Sequence, residues 1–321
     1  MRIVITGGAG FIGSHTALHL QHQHEILIVD KFLSVLDQNG SAMKPLYLGS
    51  YENLIGFKGR IHSGDITEES TMQIIYDFEP EVIFHFAAIS DTTVKDQRIM
   101  FGVNINPFNK LLDYTLNKKI RLIYASSASV YGTNNKPNLL GHEMPNTPYS
   151  FSKMMMDNIA SRYFNDNQII GLRYFNVYGH GEYFKGKSSS VILQFALQIL
   201  SGESIKLFKG SENYFRDFVY IKDVLSANVK SLSSAPGIYN VGMGKSRSFQ
   251  EVATIIKSQL NSSLPDQYFE NPYSKNYQTN TTAVLDEKFD FNPQYPLELG
   301  IENYIPHIID YYNKNQQIFY A

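Results

Sequence analysis

Four glycines in seven residues, Gly7-Gly-Ala-Gly10-Phe-Ile-Gly13, follow the apolar run Arg2-Ile-Val-Ile-Thr6 without a spacer. Glycine at this spacing lets a backbone turn tightly and approach a pyrophosphate, whose charge then meets the free N–H groups and positive end of the next helix. A second apolar run, Glu25 to Asp30, closes on an acid where a ribose-binding carboxylate belongs. Strand, glycine loop, helix and acid-tipped strand in that order predict a dinucleotide-binding unit. Its backbone contacts fall at Gly7, Gly10, Phe11, Ile12 and Gly13.

Further strand-length apolar runs lie at 60–65, 81–86, 121–126 and 168–174, and helix-period segments at 67–78 and 104–117. Continuous Val/Ile-rich strands alternating with helices predict an α/β fold, a doubly wound parallel sheet of Rossmann type, with ligands at the carboxyl ends of the strands. Residues 31–58 are too long for a simple connection and hold Asn39-Gly40 and Pro45, so they read as an irregular excursion beside the cofactor. After residue 175 the pattern changes to Gly-rich loops, aromatics and isolated helices. One helix spans about 188–200 and stops at Gly202, and another starts at Ser248-Phe-Gln-Glu251 with a capping-box signature. The expected organisation is a dinucleotide domain over 1–173, with returns near 214–241, and a smaller interleaved substrate domain over 174–213 and 242–321.

Composition removes several kinds of chemistry. A net charge of -2 offers no footprint for nucleic acid or an anionic membrane. The absence of cysteine excludes disulfides, thiolate catalysis and cysteine-held metal. The chain enters a strand at once and no apolar run approaches the length of a membrane span, so a cytoplasmic location is expected. His15, His19 and His22 share helical spacing but have no acid beside them, so a solvated helix side is expected there and no metal. Met154-Met-Met156 reads as core against the sheet.

The chemistry gathers at the strand ends. Asp65 and Ile66 after the third strand suit an adenine edge, and Ala87 and Ala88 after the fourth leave space for a dinucleotide. Asp30 and Lys31 point in opposite directions: the carboxylate would accept ribose hydroxyls, as for NAD, and the lysine would neutralise an added phosphate, as for NADP. Ser126-Ser127-Ala128 ends the fifth strand, and Tyr149-Ser-Phe-Ser-Lys153 opens a helix soon after. A Tyr and a Lys four apart share one helical face. The lysine charge is expected to lower the tyrosine pKa, so that the phenolate takes a hydroxyl proton while Ser127 orients the hydroxyl.

With these motifs in register, the chain resembles the extended short-chain dehydrogenase/reductase family of nucleotide-sugar epimerases and dehydratases. The dehydratases carry an Asp-Glu pair after the strand-end Ser or Thr; here Ala128 and Ser129 stand there, which favours redox epimerisation or reduction over elimination. Gly171-Leu-Arg-Tyr-Phe-Asn-Val-Tyr-Gly179, Lys206-Leu-Phe-Lys-Gly-Ser-Glu-Asn213 and Arg216-Asp-Phe-Val-Tyr220 resemble the branch that acts at carbon 6 of an ADP-linked heptose. That resemblance runs over nearly the whole chain, to Leu297-Glu-Leu-Gly-Ile301.

The resemblance implies an NADP-dependent isomerase, with NAD the other option, a homo-oligomer working on a nucleotide-activated heptose for lipopolysaccharide. It implies Tyr149, Lys153 and Ser127 on one side of the sugar and Lys185 as a second base on the other, with Lys187 its neighbour. It also places Asn104 near the nicotinamide, Ser90 and Thr92 in the sugar pocket, Asn176 on the sugar, and Arg216 and Tyr277 at the diphosphate. The chain departs from that branch at His180-Gly181-Glu182, where Pro-Arg-Glu is common, and at Leu33, where some relatives have arginine. Alternatives are another nucleotide-sugar epimerase or reductase, or a non-catalytic dinucleotide-binding regulator.

Overall fold

The structure, a computed structural model, describes residues 1–32, 48–134, 138–165, 168–271 and 278–315. In chain order the strands are β1 (Arg2–Thr6), β2 (Glu25–Asp30), β3 (Arg60–Ser63), β4 (Val82–His85), β5 (Arg121–Ser127), β6 (Ile169–Tyr174), β7 (Asn176–Tyr178), β8 (Lys206–Phe208), β9 (Phe215–Tyr220), β10 (Gly237–Val241), β11 (Ser246–Ser248) and β12 (Gln267–Phe269). The α-helices are α1 (Phe11–Leu20), α2 (Glu69–Asp77), α3 (Gln97–Asn104), α4 (Asn106–Lys118), α5 (Pro148–Ala160), α6 (Val191–Leu200), α7 (Ile221–Ser231), α8 (Phe249–Gln259) and α9 (Leu297–Lys314).

Seven strands form one parallel sheet in the order β10-β6-β5-β4-β1-β2-β3. Successive side chains of a strand point to opposite faces, and here both faces are buried. Ile3, Ile5, Ile28, Phe84 and Leu172 join one core cluster, while Val4, Val29, Ile83, Leu122 and Ile169 join another. Helices therefore cover both sides, as the Val/Ile-rich runs predict. The parallel register sets the ends of β1, β2 and β4 level, Thr6 opposite Val29 and His85.

Beyond β6 the chain builds a three-stranded sheet, β11-β9-β7, and a two-stranded one, β12-β8, and returns through α7 to place β10 beside β6. The expected start of α8 is realised: Ser248 accepts from the Glu251 N–H and Glu251 from the Ser248 N–H. The helix expected over 104–117 is α4, which starts two residues later at Asn106 with Pro107 in its first turn, where no N–H is needed; Asn104 instead ends the preceding α3. Of the excursion at 31–58, the described part holds a 3-10 turn at Tyr51–Leu54 capped by Ser50. Asn39-Gly40 and Pro45 lie outside the described residues. Among the described residues no helix is long and apolar enough to cross a membrane.

His85 at the end of β4 is 1% exposed, and its Nδ1 lies 2.8 Å from the Thr6 hydroxyl. Burial pushes its pKa down to about 3, so the folded protein keeps it neutral while the unfolded chain protonates it below about 6.5. The stability it contributes is whole above 6.5 and drains as pH falls from there toward 3, by about 2 kcal/mol at pH 5. Denaturant titration of the protein and of His85→Phe at pH 7 and pH 5 should show the larger acid loss in the parent. Identical pH dependence would refute this account.

Candidate active site

A cleft of about 740 Å³ opens at the carboxyl ends of the parallel strands, where the glycine loop, the β4 and β5 ends, α5 and the segments after β6 converge. The loop's geometry needs its glycines. Gly7 has φ +69°, and a Cβ there would lie 2.7 Å from the Ala87 N; one on Gly13 would lie 2.3 Å from the Gly7 O. Side chains would push β4 and α1 off the loop. The N-cap of α1, Gly10, supplies no side-chain acceptor, so the first-turn N–H groups at Phe11 to Gly13 remain for an anion at the cleft wall. That cradle fits the pyrophosphate of a nicotinamide dinucleotide.

Asp30, Lys31, Asp65, Ile66, Ala87 and Ala88 all line the same cleft. Asp30 is 7% exposed; its Oδ2 accepts from Ala9 N at 2.9 Å and its Oδ1 from Phe32 N at 2.8 Å. Burial raises its pKa against those bonds. Lys31 pairs with Asp65, whose carboxyl is lowered despite partial burial by that lysine and by Thr67. Asn104, expected beside the nicotinamide, does not line the cleft. It is fully buried, its amide bonded to the N–H and carbonyl of Ile89 and to Ser152 Oγ, so it fixes the loop that carries Ala88 and Ser90 from behind.

Ser127, Tyr149 and Lys153 meet as the spacing predicts. Pro148 and a capping box between Thr147 and Ser150 start α5 beside the end of β5. Lys153 Nζ donates to the Ala125 carbonyl at 2.8 Å and sits 5.9 Å from the Tyr149 ring centre. The expected lowering of the tyrosine pKa by the lysine is not found: burial raises it, and the opposing pull comes from a hydrogen bond with Ser127. Burial lowers Lys153 to about 8, while Asp157 one turn further along α5 pulls it back up. Thus Tyr149 is held as a phenol beside a lysine that burial brings down to about 8 and that is still mostly an ammonium at pH 7. The carbonyl and the phenol compete for that ammonium, and the carbonyl wins.

Asp157 itself is 1% exposed and accepts from Tyr124 Oη, Ser126 Oγ and Arg173 Nε, at 2.9, 2.9 and 2.8 Å. Arg173 also pairs with Glu143 at 2.6 Å. This buried network ties β5, β6 and α5 together beneath the tyrosine. Ala128 and Ser129 line the cleft where an elimination enzyme needs carboxyl groups.

Ser90, Thr92, Asn176, Lys185 and Arg216 line the same cleft. Arg216 is 5% exposed; two of its donors are spent on the carbonyls of Phe215 and Gln278 at 2.8 Å, which fixes its fork. Lys185 rides on a short 3-10 stretch at Tyr183–Ser188, its Nζ 5.6 Å from the Phe11 ring centre. Tyr277 and the side chain of Lys187 lie outside the described residues.

Residues missed by sequence reasoning fall into two kinds. Phe184, Gln194, Phe249 and Thr281 line the cleft but carry no motif. Glu182 is fully buried and accepts from Gly179 N, Ser190 N and Ser190 Oγ at 3.3, 2.6 and 2.7 Å, closing the loop that carries Lys185. An acid inside a glycine-flanked loop was the signal for it. His19 and His22 are exposed, but His15 is not the solvated residue its spacing suggests; it is half-buried against His180, a partner remote in sequence. Among the described residues no group of three or more His, Asp or Glu is placed to hold a metal.

The pattern of the NAD dependent epimerase/dehydratase family matches residues 3–242. The ADP-L-glycero-D-manno-heptose-6-epimerase of Brachyspira hyodysenteriae is 38% identical over 294 residues, 88% of this chain and 89% of that protein. Among solved structures, the ADP-L-glycero-D-manno-heptose-6-epimerase of Helicobacter pylori superposes with a TM-score of 0.86 at 40% identity, over 96% of each chain. The UDP-glucose 4-epimerase of Thermus thermophilus in complex with NAD superposes with a TM-score of 0.79 at 26% identity, over 96% of this chain and 99% of that one.

Proposed function

The chain belongs to the NAD dependent epimerase/dehydratase family, and we propose that it interconverts the two carbon-6 epimers of an ADP-linked glycero-manno-heptose through a transient ketone. The observation that carries this reading is that Tyr149 and Lys185, from α5 and from the loop after β7, line the same cleft as the glycine loop. The two epimers present their hydroxyl on opposite sides, and one fixed base cannot reach both. Two proton carriers on different elements meet that need.

In the proposed cycle one carrier takes the hydroxyl proton as the carbon–hydrogen pair leaves as hydride, and the ketone forms. The ketone then turns its other face, hydride returns, and the second carrier gives its proton to the oxygen. The glycine loop, Gly7 to Gly13, would hold a nicotinamide dinucleotide, which would supply the hydride acceptor and donor. Ser127 orients the oxygen, Lys153 supports charge on Tyr149, and Arg216 offers paired donors to a diphosphate. Asn176, Ser90 and Thr92 hold the sugar, with Lys187 and Tyr277 adjoining.

We assign NADP as the preferred dinucleotide. Each Asp30 oxygen already accepts one backbone N–H, and Lys31, which lines the cleft beside it and pairs with Asp65, is a cation that could answer an added phosphate. We further assign the chain to a cytoplasmic homo-oligomer that supplies heptose for the lipopolysaccharide core. The dinucleotide domain is taken as 1–173 with returns near 214–241, and the remainder as the substrate domain.

Purified protein incubated with ADP-D-glycero-D-manno-heptose should form the L-glycero epimer without incorporating solvent deuterium, because the hydrogen leaves and returns as hydride. Turnover of the GDP-linked sugar alone would move the assignment to another nucleotide sugar. Deuterium on the sugar would exclude the redox route. The dinucleotide released on denaturation should be NADP; release of NAD would reverse the assignment of Asp30 and Lys31.

A further inference from the structure

The loop that carries Lys185 is docked on two helices by a stack of imidazoles. The His180 ring lies between His15 of α1, edge-on with centroids 4.3 Å apart, and His307 of α9, stacked at 4.6 Å with planes 16° apart. The His180 carbonyl accepts from His15 Nε2 at 2.9 Å, while its own Nδ1 is buried with no partner among the described residues. The next residue, Gly181, has φ +92°, and a Cβ there would lie 3.4 Å from His15 Nε2, so the segment is pressed onto α1. His15 in turn meets Phe11 edge-on at 5.9 Å, and Phe11 is the ring beneath Lys185 Nζ. The stack thus runs from α9 through the loop to the glycine-loop helix and ends at the second base.

We propose that His180 is a positioning residue: its ring, packed between His15 and His307, clamps the Lys185 loop closed, and protonation of His180 releases it. This rests on the reading of Lys185 as the second base. The groups that act on His180 are His15 from α1, His307 from α9 and Lys222 from α7, all of which repel an added proton. In its own loop, Glu182 is turned to Ser190 and Gly179, and Lys185 sits over Phe11. Glu52, on the 3-10 turn that follows Ser50, acts on Tyr311 of α9, whose ring stacks on Tyr183 at 4.1 Å. Among the described residues, no carboxylate acts on His180 to answer an added proton.

Burial and these basic neighbours hold His180 at about 3, and burial lowers His15 as well. An imidazole freed by loop opening returns to about 6.5, so opening takes up a proton. From pH 7 to pH 5 the freed His180 imidazole should shift the closed-to-open balance by roughly twentyfold toward open. Glu182, raised by burial, also gains a proton on acidification, so the histidine has to be separated from it.

Hydrogen exchange of the amides at 182–190, corrected for intrinsic rates, should be followed at pH 7 and pH 5 in the parent, His180→Phe and His180→Ala. The parent should lose roughly twentyfold or more of its protection at pH 5. The phenylalanine variant keeps a ring that does not titrate and should lose clearly less protection at pH 5 than the parent, because His15 still titrates there, whereas the alanine variant should lack protection at both values. Protection in the parent that does not change with pH, or equal acid loss in the parent and His180→Phe, overturns the clamp. Should the alanine variant not fold, the parent and phenylalanine arms still decide. Exchange is read without substrate, so an active Lys185→Ala protein would remove the base assignment and leave the clamp standing.

Discussion

A Tyr149→Phe protein should bind dinucleotide and nucleotide sugar yet epimerise about 10²- to 10⁴-fold more slowly. The change removes one oxygen from a helix whose capping box and buried Asp157–Arg173 network are untouched, so folding is not in question. Burial keeps Tyr149 a phenol, and its bond with Ser127 is the stated pull the other way, so the hydroxyl is set to give a proton to a carbonyl oxygen. Loss of that donor blocks one face only. The epimer whose hydroxyl faces Lys185 should still be oxidised in a single turnover, with the ketone trapped by hydroxylamine, while no product of opposite configuration accumulates. Unchanged epimerisation would leave Tyr149 outside the chemistry; loss of sugar binding as well would make it a binding residue. A non-catalytic regulator would lose nothing by the same substitution.

How much of this was readable in the sequence depended on whether the determining contact was local. β1, the glycine loop, α1 and Asp30 are specified within a short span by hydrophobic period and by glycines that make room for Ala87 and the loop's own backbone. Tyr149 and Lys153 are one helical turn apart, so their meeting was legible too. Where the partner is remote, the sequence said little. Asn104 reads as a cleft residue until Ile89 and Ser152 take its amide, and His15 reads as solvated until His180 folds onto it from 165 positions away. The tyrosine pKa failed for the same reason, since the Ala125 carbonyl that claims Lys153 is brought by β5. Glu182 could be seen to be odd, but not that it closes a loop onto the cap of α6 through Ser190.

The mirror experiment, Lys185→Ala, separates a two-base enzyme from one in which Tyr149 serves both faces. The truncation removes an amine held over the Phe11 ring but none of the bonds that shape its loop, which Glu182 makes with Gly179 and Ser190. The variant should therefore keep its fold and its dinucleotide and lose about 10²- to 10⁴-fold in epimerisation. Its surviving half-reaction must be the opposite one: the epimer that Tyr149 deprotonates still yields ketone, and the epimer that survived in Tyr149→Phe now does not. Neither variant alone establishes that exchange of substrates, because a displaced sugar would slow both epimers together. Mixing the two variants should restore nothing unless the ketone and the reduced dinucleotide both leave the cleft, because the variant that receives the ketone needs a hydride to reduce it. If Lys185→Ala oxidises both epimers at the parent rate, the amine is a bystander and the second face must be served by another group lining the cleft.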